Sequence, residues 1–418
     1  MKTLSTFAVA WLLVSARILN AEVTAEVWSY TGTDIYPSAI IATATVDWHA
    51  GEEEKSKDKK KKKADDEPEE IPILGDKNGW IGARLLDVPK GAKIKVEVIG
   101  EGWLKSSRTE VTVKDGTDEI IVIPKNIFDY DALHLIKQQK PANLCVKINV
   151  NGKDLPDQNE VVTLRSINEC PFAIIFGEGD DATADDLSWM FAAYVNENHP
   201  WIDEILKEAL DAKLVDSFDG YQSGDPKKVL AQVYAIWHVL QRHGMKYSDI
   251  TNTPKSKFAL AQTVRFLDDS IKNAQANCVD GSVIFASILT KISINCGLVL
   301  APGHCFVCFD LDPAGELDVT ASDDDRTVLG LETTMLGADN LKPLSELKKL
   351  PGKIQGKVAQ KEGEASATTF GNALEVASEV LSSHSDEFDE DGSDYSIIPI
   401  SDARELGIMP IASGTNKK

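Results

Sequence analysis

Asn277-Cys278-Val279-Asp280-Gly281-Ser282 heads an apolar run in which Ile284, Phe285, Ile288, Leu289 and Ile292 fall on a single face at helical spacing. The run predicts a helix with Cys278 on its first turn. There, unpaired backbone N–H groups and the positive end of the macrodipole favour thiolate over thiol, and the thiolate is the reactive species. Downstream, Pro302-Gly303-His304 opens the alternating stretch His304 to Asp310. This reads as a strand of period two, with His304, Phe306 and Cys308 on one face and Cys305 and Val307 on the other. Val328 to Met335 reads as a further strand and carries Glu332 between Leu331 and Thr333. A thiol, an imidazole and a carboxylate in this order are the parts of a Cys/His/acid set, in which the acid orients the imidazole and stabilises the imidazolium.

These blocks resemble the transglutaminase-like superfamily, best over Ala261 to Gly337. NCVDGS followed by FASIL, then LVLAPGHCFV, then LETTMLG, is similar to the Cys, His and acid blocks of exported bacterial members. VNENHPWIDEILKEAL through GYQSG and QVYAIWHVLQ resembles their helical lead-in, and ISDARELGIMPI their trailing segment. The resemblance implies a papain-like core with Cys278 as nucleophile, His304 as general base and acid, and Glu332 as the orienting acid. It also implies attack on a protein or peptide amide through a Cys thioester, completed by water in a protease or amidase and by an amine in an acyltransferase. Superfamily members mostly carry Asp where this chain has Glu332, and Asp318 in Leu317-Asp318-Val319-Thr320 competes for the same short pattern. Glu332 is favoured because it lies in a segment of strand character, whereas Asp318 precedes a polar loop. By analogy with papain-like enzymes, Gln262, on an expected helix from Ala259 to Lys272, is a candidate oxyanion donor; a surface Gln is the simpler reading.

A chain of 418 residues with 43% hydrophobic content holds two or three domains. Lys2, the apolar stretch Phe7 to Val14 and small residues at Ala16 and Ala21 form a secretory signal over residues 1–21, so the mature protein is expected outside the cytoplasm, periplasmic or extracellular. Residues 22–176 alternate short β-rich runs with turns, among them Glu22 to Tyr30, Ala39 to Asp47, Ala92 to Ile99 and Leu144 to Val150. The expected fold class is α+β: an N-terminal β-sandwich, with the immunoglobulin-like arrangement as a candidate form, followed by a transglutaminase-like domain over 177–345. Residues 346–418 are expected to be a linker over Lys348 to Thr368, a short helix over Phe370 to Leu381, and a segment packing back on the core. Helices are also expected after His199-Pro200-Trp201, where His199 and Asn198 are capping candidates, and around Val229 to Leu240, with His238 and His243 exposed.

The formal charge of −22, or −24 without Lys2 and Arg17, opposes nucleic acid and anionic membrane surfaces. Lys57 to Lys63 sits in a charged loop over 51–70, flanked by acidic runs, and reads as solvated. No stretch beyond the signal is long and apolar enough to span a bilayer. Of the six cysteines, Cys145 and Cys170 are the candidate disulfide pair of an exported chain. His304, Cys305 and Cys308 invite a zinc reading, but Cys305 points away from His304 and Cys308 lies about 13 Å along the strand, too far for a common centre. No metal or organic cofactor is required, since the thiol supplies the nucleophile. The expected partner is a protein or peptide substrate, and the oligomeric state is open. The alternative of a different class is a catalytically inactive exported binding or scaffold protein that uses the sandwich and the cleft for recognition.

Overall fold

The computed structural model describes residues 22–47, 71–177, 182–250, 253–320, 326–347, 361–390 and 392–411. The expected signal at 1–21, the charged loop at 51–70 and residues 348–360 of the expected linker lie outside them. The protein is α+β. The described residues divide into two compact units, one drawn from 22–188 and 253–262 and the other from 189–250 and 263–411. The break expected after residue 176 thus comes at Ser188, residues 253–262 return to the first unit, and the described residues beyond 346 belong to the second.

In the first unit, Thr24–Ser29, Ile81–Val88, Thr117–Ile123 and Ile73–Gly75 form a four-stranded sheet in that order. A larger sheet runs Asp34–Ile35, Gln158–Leu164, Lys140–Val150, Lys93–Gly100, Leu104–Thr112 and Ile127–Phe128. In Lys93–Gly100 the side chains of Ile94, Val96 and Val98 are buried while Lys93 and Lys95 are exposed, the alternation of a sheet with one face in a core. Ile81–Val88 of the first sheet meets Lys93–Gly100 and Lys140–Val150 of the second. A third sheet joins Thr183–Asp186, Glu169–Phe176 and Ala259–Thr263. Its neighbourhood holds a buried ion cluster: Arg165 Nε donates to Glu169 Oε2 at 2.7 Å, Nη1 lies 3.4 Å from Asp34 Oδ2, and the guanidinium sits over the Tyr36 ring.

Three expectations for these residues are corrected. Ala39 to Asp47, expected as a strand, contributes instead to the helix Pro37–Ala42, all six residues of which are buried. A short apolar run fits either structure, and enclosure on every side, with Pro37 in the first turn, suits the helix. Ala259 to Lys272 is not one helix but the strand Ala259–Thr263 followed by the helix Leu267–Asn273, because Ala259–Thr263 pairs with a partner far away in sequence. Cys145 and Cys170 lie on strands of different sheets, and all six cysteines are unpaired thiols.

The second unit is built on an antiparallel sheet ordered Val328–Leu331, His304–Asp310, Cys296–Ala301 and Ser396–Pro399. The helix Cys278–Lys291 packs on the two central strands, and its residues Val279 to Leu289 are buried without a break, as an apolar helix enclosed by other elements requires. The Trp237 ring, on the helix Pro226–Arg242, is centred 5.6 Å from that of Phe285 and 5.7 Å from that of Phe370. Phe370 belongs to the helix Lys361–Ser383, which stands where a linker and a short helix were expected. Its small residues allow a close approach to the sheet: a Cβ on Gly330 would lie 2.7 Å from the Ala377 Cβ. Ala367, Phe370, Ala373, Ala377 and Leu381 are buried along this helix, which packs on the strand Val328–Leu331 and on the helix Pro226–Arg242. His238, expected exposed, is buried, with Nδ1 3.0 Å from Ser366 Oγ on the same helix. Among the described residues no helix is long and apolar enough to cross a membrane.

Candidate active site

Cys278 is the first residue of its helix because Asn277 caps it. The Asp280 N–H donates to Asn277 Oδ1 at 2.8 Å and the Asn277 N–H donates to Asp280 Oδ2 at 3.0 Å, a reciprocal capping box. Asp280 is fully buried and is itself held by Arg265, whose backbone N–H donates to Oδ1 at 2.7 Å and whose Nη1 donates to Oδ2 at 3.0 Å. Burial pushes the Asp280 carboxyl up, and the Asn277 and Arg265 contacts only partly oppose it. The box thereby fixes the helix start and leaves the Cys278 thiol half-buried at its edge. Gly281 completes the turn: a Cβ there would lie 2.6 Å from Thr333 Oγ1, so only glycine admits this approach of the helix to the Thr333 segment.

His304 opens its strand directly after a two-residue hairpin loop. Ala301 pairs with His304, with Pro302 and then Gly303 (φ +68°) between them, the residue types and signs of a type II turn. The imidazole Nε2 lies 2.6 Å from Glu332 Oε2. That contact leaves Nδ1 for the thiol, and the hydrogen bond to Cys278, followed by that to Glu332, pushes the His304 pKa up to about 10 against the opposing effect of burial.

Glu332 lies past the end of the strand Val328–Leu331, not inside it as expected; it caps the single 3-10 turn Thr333–Met335. Its backbone N–H donates to Ala373 O of the Lys361–Ser383 helix at 3.1 Å. Its Oε1 accepts from the Thr334 N–H at 3.0 Å and from Thr334 Oγ1 at 2.6 Å, so both carboxylate oxygens are engaged. Burial raises the Glu332 carboxyl, but the His304 and Thr334 contacts outweigh it and hold the group below its ordinary value. Asp318, the competing acid, is exposed, and its Oδ1 accepts from the Thr320 N–H and Oγ1. Gln262 lies on the strand Ala259–Thr263 and is grouped with the first unit.

Other histidines have structural partners. His199 caps the helix Pro200–Asp211, accepting from the Trp201 N–H at 3.3 Å on Nδ1, and its Nε2 is 2.9 Å from Asp268. Burial pushes the thiols of Cys170, Cys296, Cys305 and Cys308 up. Among the described residues no group of three or more His, Cys, Asp or Glu is arranged to hold a metal ion.

Asp280, Arg265 and Thr334 support the site without having been anticipated. The Asn-x-x-Asp spacing at 277–280 is a capping-box signal visible in the sequence, and Glu332-Thr333-Thr334 offers a hydroxyl two residues after the acid, a common local turn. Arg265 carries no such signal, since its contact depends on how the preceding strand and helix are folded. The chain matches no protein-family model and has no significant match among curated proteins.

Proposed function

We propose that this protein is an exported thiol enzyme of transglutaminase-like type, acting on amide bonds of protein or peptide through a Cys278 thioester. The observation that carries this reading is the string Cys278, His304, Glu332: a thiol on the first residue of a buried helix, an imidazole whose pKa is pushed up to about 10, and a carboxylate 2.6 Å from its other nitrogen. An imidazole in that state is an imidazolium at neutral pH, the partner that a thiolate nucleophile needs. The two-sheet architecture of the first unit is read as a β-sandwich, immunoglobulin-like in kind, that holds the target.

The chemistry follows from these groups. The thiolate attacks the amide carbonyl, and the carbonyl electron pair moves to oxygen. The capping box engages the Asp280 N–H, which leaves the N–H groups of Cys278 and Val279 on the first turn to receive the oxyanion. His304 then gives its proton to the leaving amine as the C–N bond breaks, and the thioester forms. Water or a second amine, deprotonated by His304, attacks the thioester and returns the thiolate. Glu332 keeps the ring oriented throughout and stabilises its charged form whenever it carries the second proton, with Thr334 fixing its other oxygen.

The test compares the intact protein with Cys278→Ala on envelope proteins, scoring incorporation of an amine-bearing probe and the appearance of new peptide termini. Amine incorporation selects the acyltransferase and new termini the protease, each lost in the variant. If a folded and reduced preparation gives neither, the inactive binding or scaffold protein is the better account.

A further inference from the structure

The helix Cys278–Lys291 has one positive pole, and two groups on its first turn compete for it. One is the Cys278 thiolate that acyl transfer requires. The other is Asp280, whose carboxylate accepts three N–H groups: that of Arg265 on Oδ1, and those of Asn277 and of Arg265 Nη1 on Oδ2. A carboxyl whose oxygens meet only donors is held as the anion. Burial works against that charge and the donors work for it. Asp280 is fully buried, so solvent does little to screen it.

The carboxylate lies close to the reacting sulfur along the chain. Oδ2 is 3.0 Å from the backbone nitrogen of Asn277, the residue next to Cys278, and standard chain dimensions then put the charge at most about 11 Å from Sγ. At that range, through protein, an uncompensated anion displaces a titration by about one pH unit. Its compensation is the Arg265 guanidinium, 3.0 Å from Oδ2 with a side chain only 14% exposed. Four other titratable groups face the thiol: His304 and Cys305 on one strand, Glu332 at the 3-10 turn, and Tyr247. Burial pushes the Cys305 thiol and the Tyr247 phenol up, so both stay neutral. The charges around Cys278 are thus two pairs of opposite sign, His304 with Glu332 and Arg265 with Asp280.

We infer, on the thiol-enzyme reading, that Arg265 is a positioning residue of the reaction: by neutralising Asp280 it lets the capping box hold the helix start without an uncompensated anion beside the Cys278 thiolate. The positive pole and the His304 imidazolium are then left to the sulfur. Arg265 therefore acts through its charge as well as through its hydrogen bonds, and the two contributions separate experimentally.

The test is the pH dependence of Cys278 alkylation by iodoacetamide in the full chain, followed by peptide mass for the intact protein, Arg265→Gln, Asp280→Asn and the double variant. Iodoacetamide is uncharged, so the half-plateau pH follows the thiolate fraction while the alkaline plateau reports access to the sulfur. Arg265→Gln leaves the carboxylate without its cation and is expected to move the half-plateau pH up by about one unit. Asp280→Asn leaves the guanidinium and is expected to move it down by a similar amount, and the double variant to return it close to the intact protein. Arg265→Lys, which keeps the charge, is expected to leave it in place. A purely structural lock would shift both single variants in the same direction, or lower the plateau with the half-plateau pH unmoved, and either result would overturn the inference. Should Arg265→Gln fold poorly, Asp280→Asn and Arg265→Lys carry the test, and a half-plateau pH that rises in Asp280→Asn overturns it. If Cys278 of the intact protein reacts near neutral pH no faster than the partly exposed Cys145, the thiol-enzyme reading falls and this inference falls with it. Fast alkylation with a half-plateau pH that none of the variants moves would leave that reading standing and remove only the role of Arg265.

Discussion

Two clusters of this protein set an acid against a cation, and they are built differently. In the first unit Arg165, 3% exposed, is enclosed by Glu169 and Asp34 and capped by the Tyr36 ring. Arginine stays charged across the accessible pH range, and its donors there are used up on carboxylates and on the carbonyls of Pro254 and Lys255. In the second unit Glu332 is equally buried, but its partner is His304, a group that can lose its proton, with a side chain 35% exposed and one ring nitrogen directed at a thiol. The first arrangement holds a fold together, and the second keeps a proton available. Buried charge alone therefore does not mark a reactive site; a titratable cation with one open side does.

The largest effect that would break this contrast is on catalysis. Cys278→Ala is expected to abolish the proposed acyl transfer, a loss of about 10³-fold or more, while changing the unfolding free energy by less than ~1 kcal/mol, since the thiol is at the edge of the core. Glu332→Gln is expected to lower activity by about 10²-fold to 10⁴-fold, as loss of the orienting acid does in related triads. It should also move the alkaline limb of the pH–rate profile to lower pH, because the imidazolium then loses a partner that raises its pKa. A profile whose limb stays in place would remove Glu332 from the mechanism.

Arg165→Met reads the other side of the contrast. It leaves Glu169 and Asp34 buried without their cation, and a loss of ~3–5 kcal/mol is expected in denaturant unfolding. A loss under ~1 kcal/mol would mean that the cluster is solvated and not a structural lock. Gly281→Ala is the smallest change. Its added methyl meets Thr333 Oγ1 at 2.6 Å, and a destabilisation of ~1–3 kcal/mol is expected, together with slower alkylation of Cys278 as the Glu332 turn shifts.

The local parts of the site were legible in the sequence. The helix from Cys278 and the strand from His304 to Asp310 follow from spacing alone, because each carries an uninterrupted periodic signal and a capping or turn residue at its start. Lys361 to Thr368 was opaque for the converse reason. Gly363 and the mixture of Lys, Glu, Ala and Thr resemble a linker, and the helix is recognisable only once Ala367, Ala373 and Ala377 are seen to be buried, with Ala377 against Gly330. The strand Ala259–Thr263 was hidden because its partner, Glu169–Phe176, is remote in the chain, and pairing of that kind overrides local propensity. The clamp of Arg265 on Asp280 needs that same chain path before it can be seen.

The central claim is that Cys278 and Glu332 together hold His304 as an imidazolium. Because the folded pKa lies above the unfolded value, the stabilisation this proton contributes is fully present below pH ~6.5 and is lost as the pH rises through about 10. The direct measurement is a pH titration of the histidine ring resonances by NMR, with the His304 signal assigned from its absence in His304→Gln. The account predicts a midpoint near 10 in the intact protein and a fall toward the ordinary ~6.5 in Cys278→Ala. A midpoint near ~6.5 in the intact protein, unmoved by removal of the thiol, would contradict it.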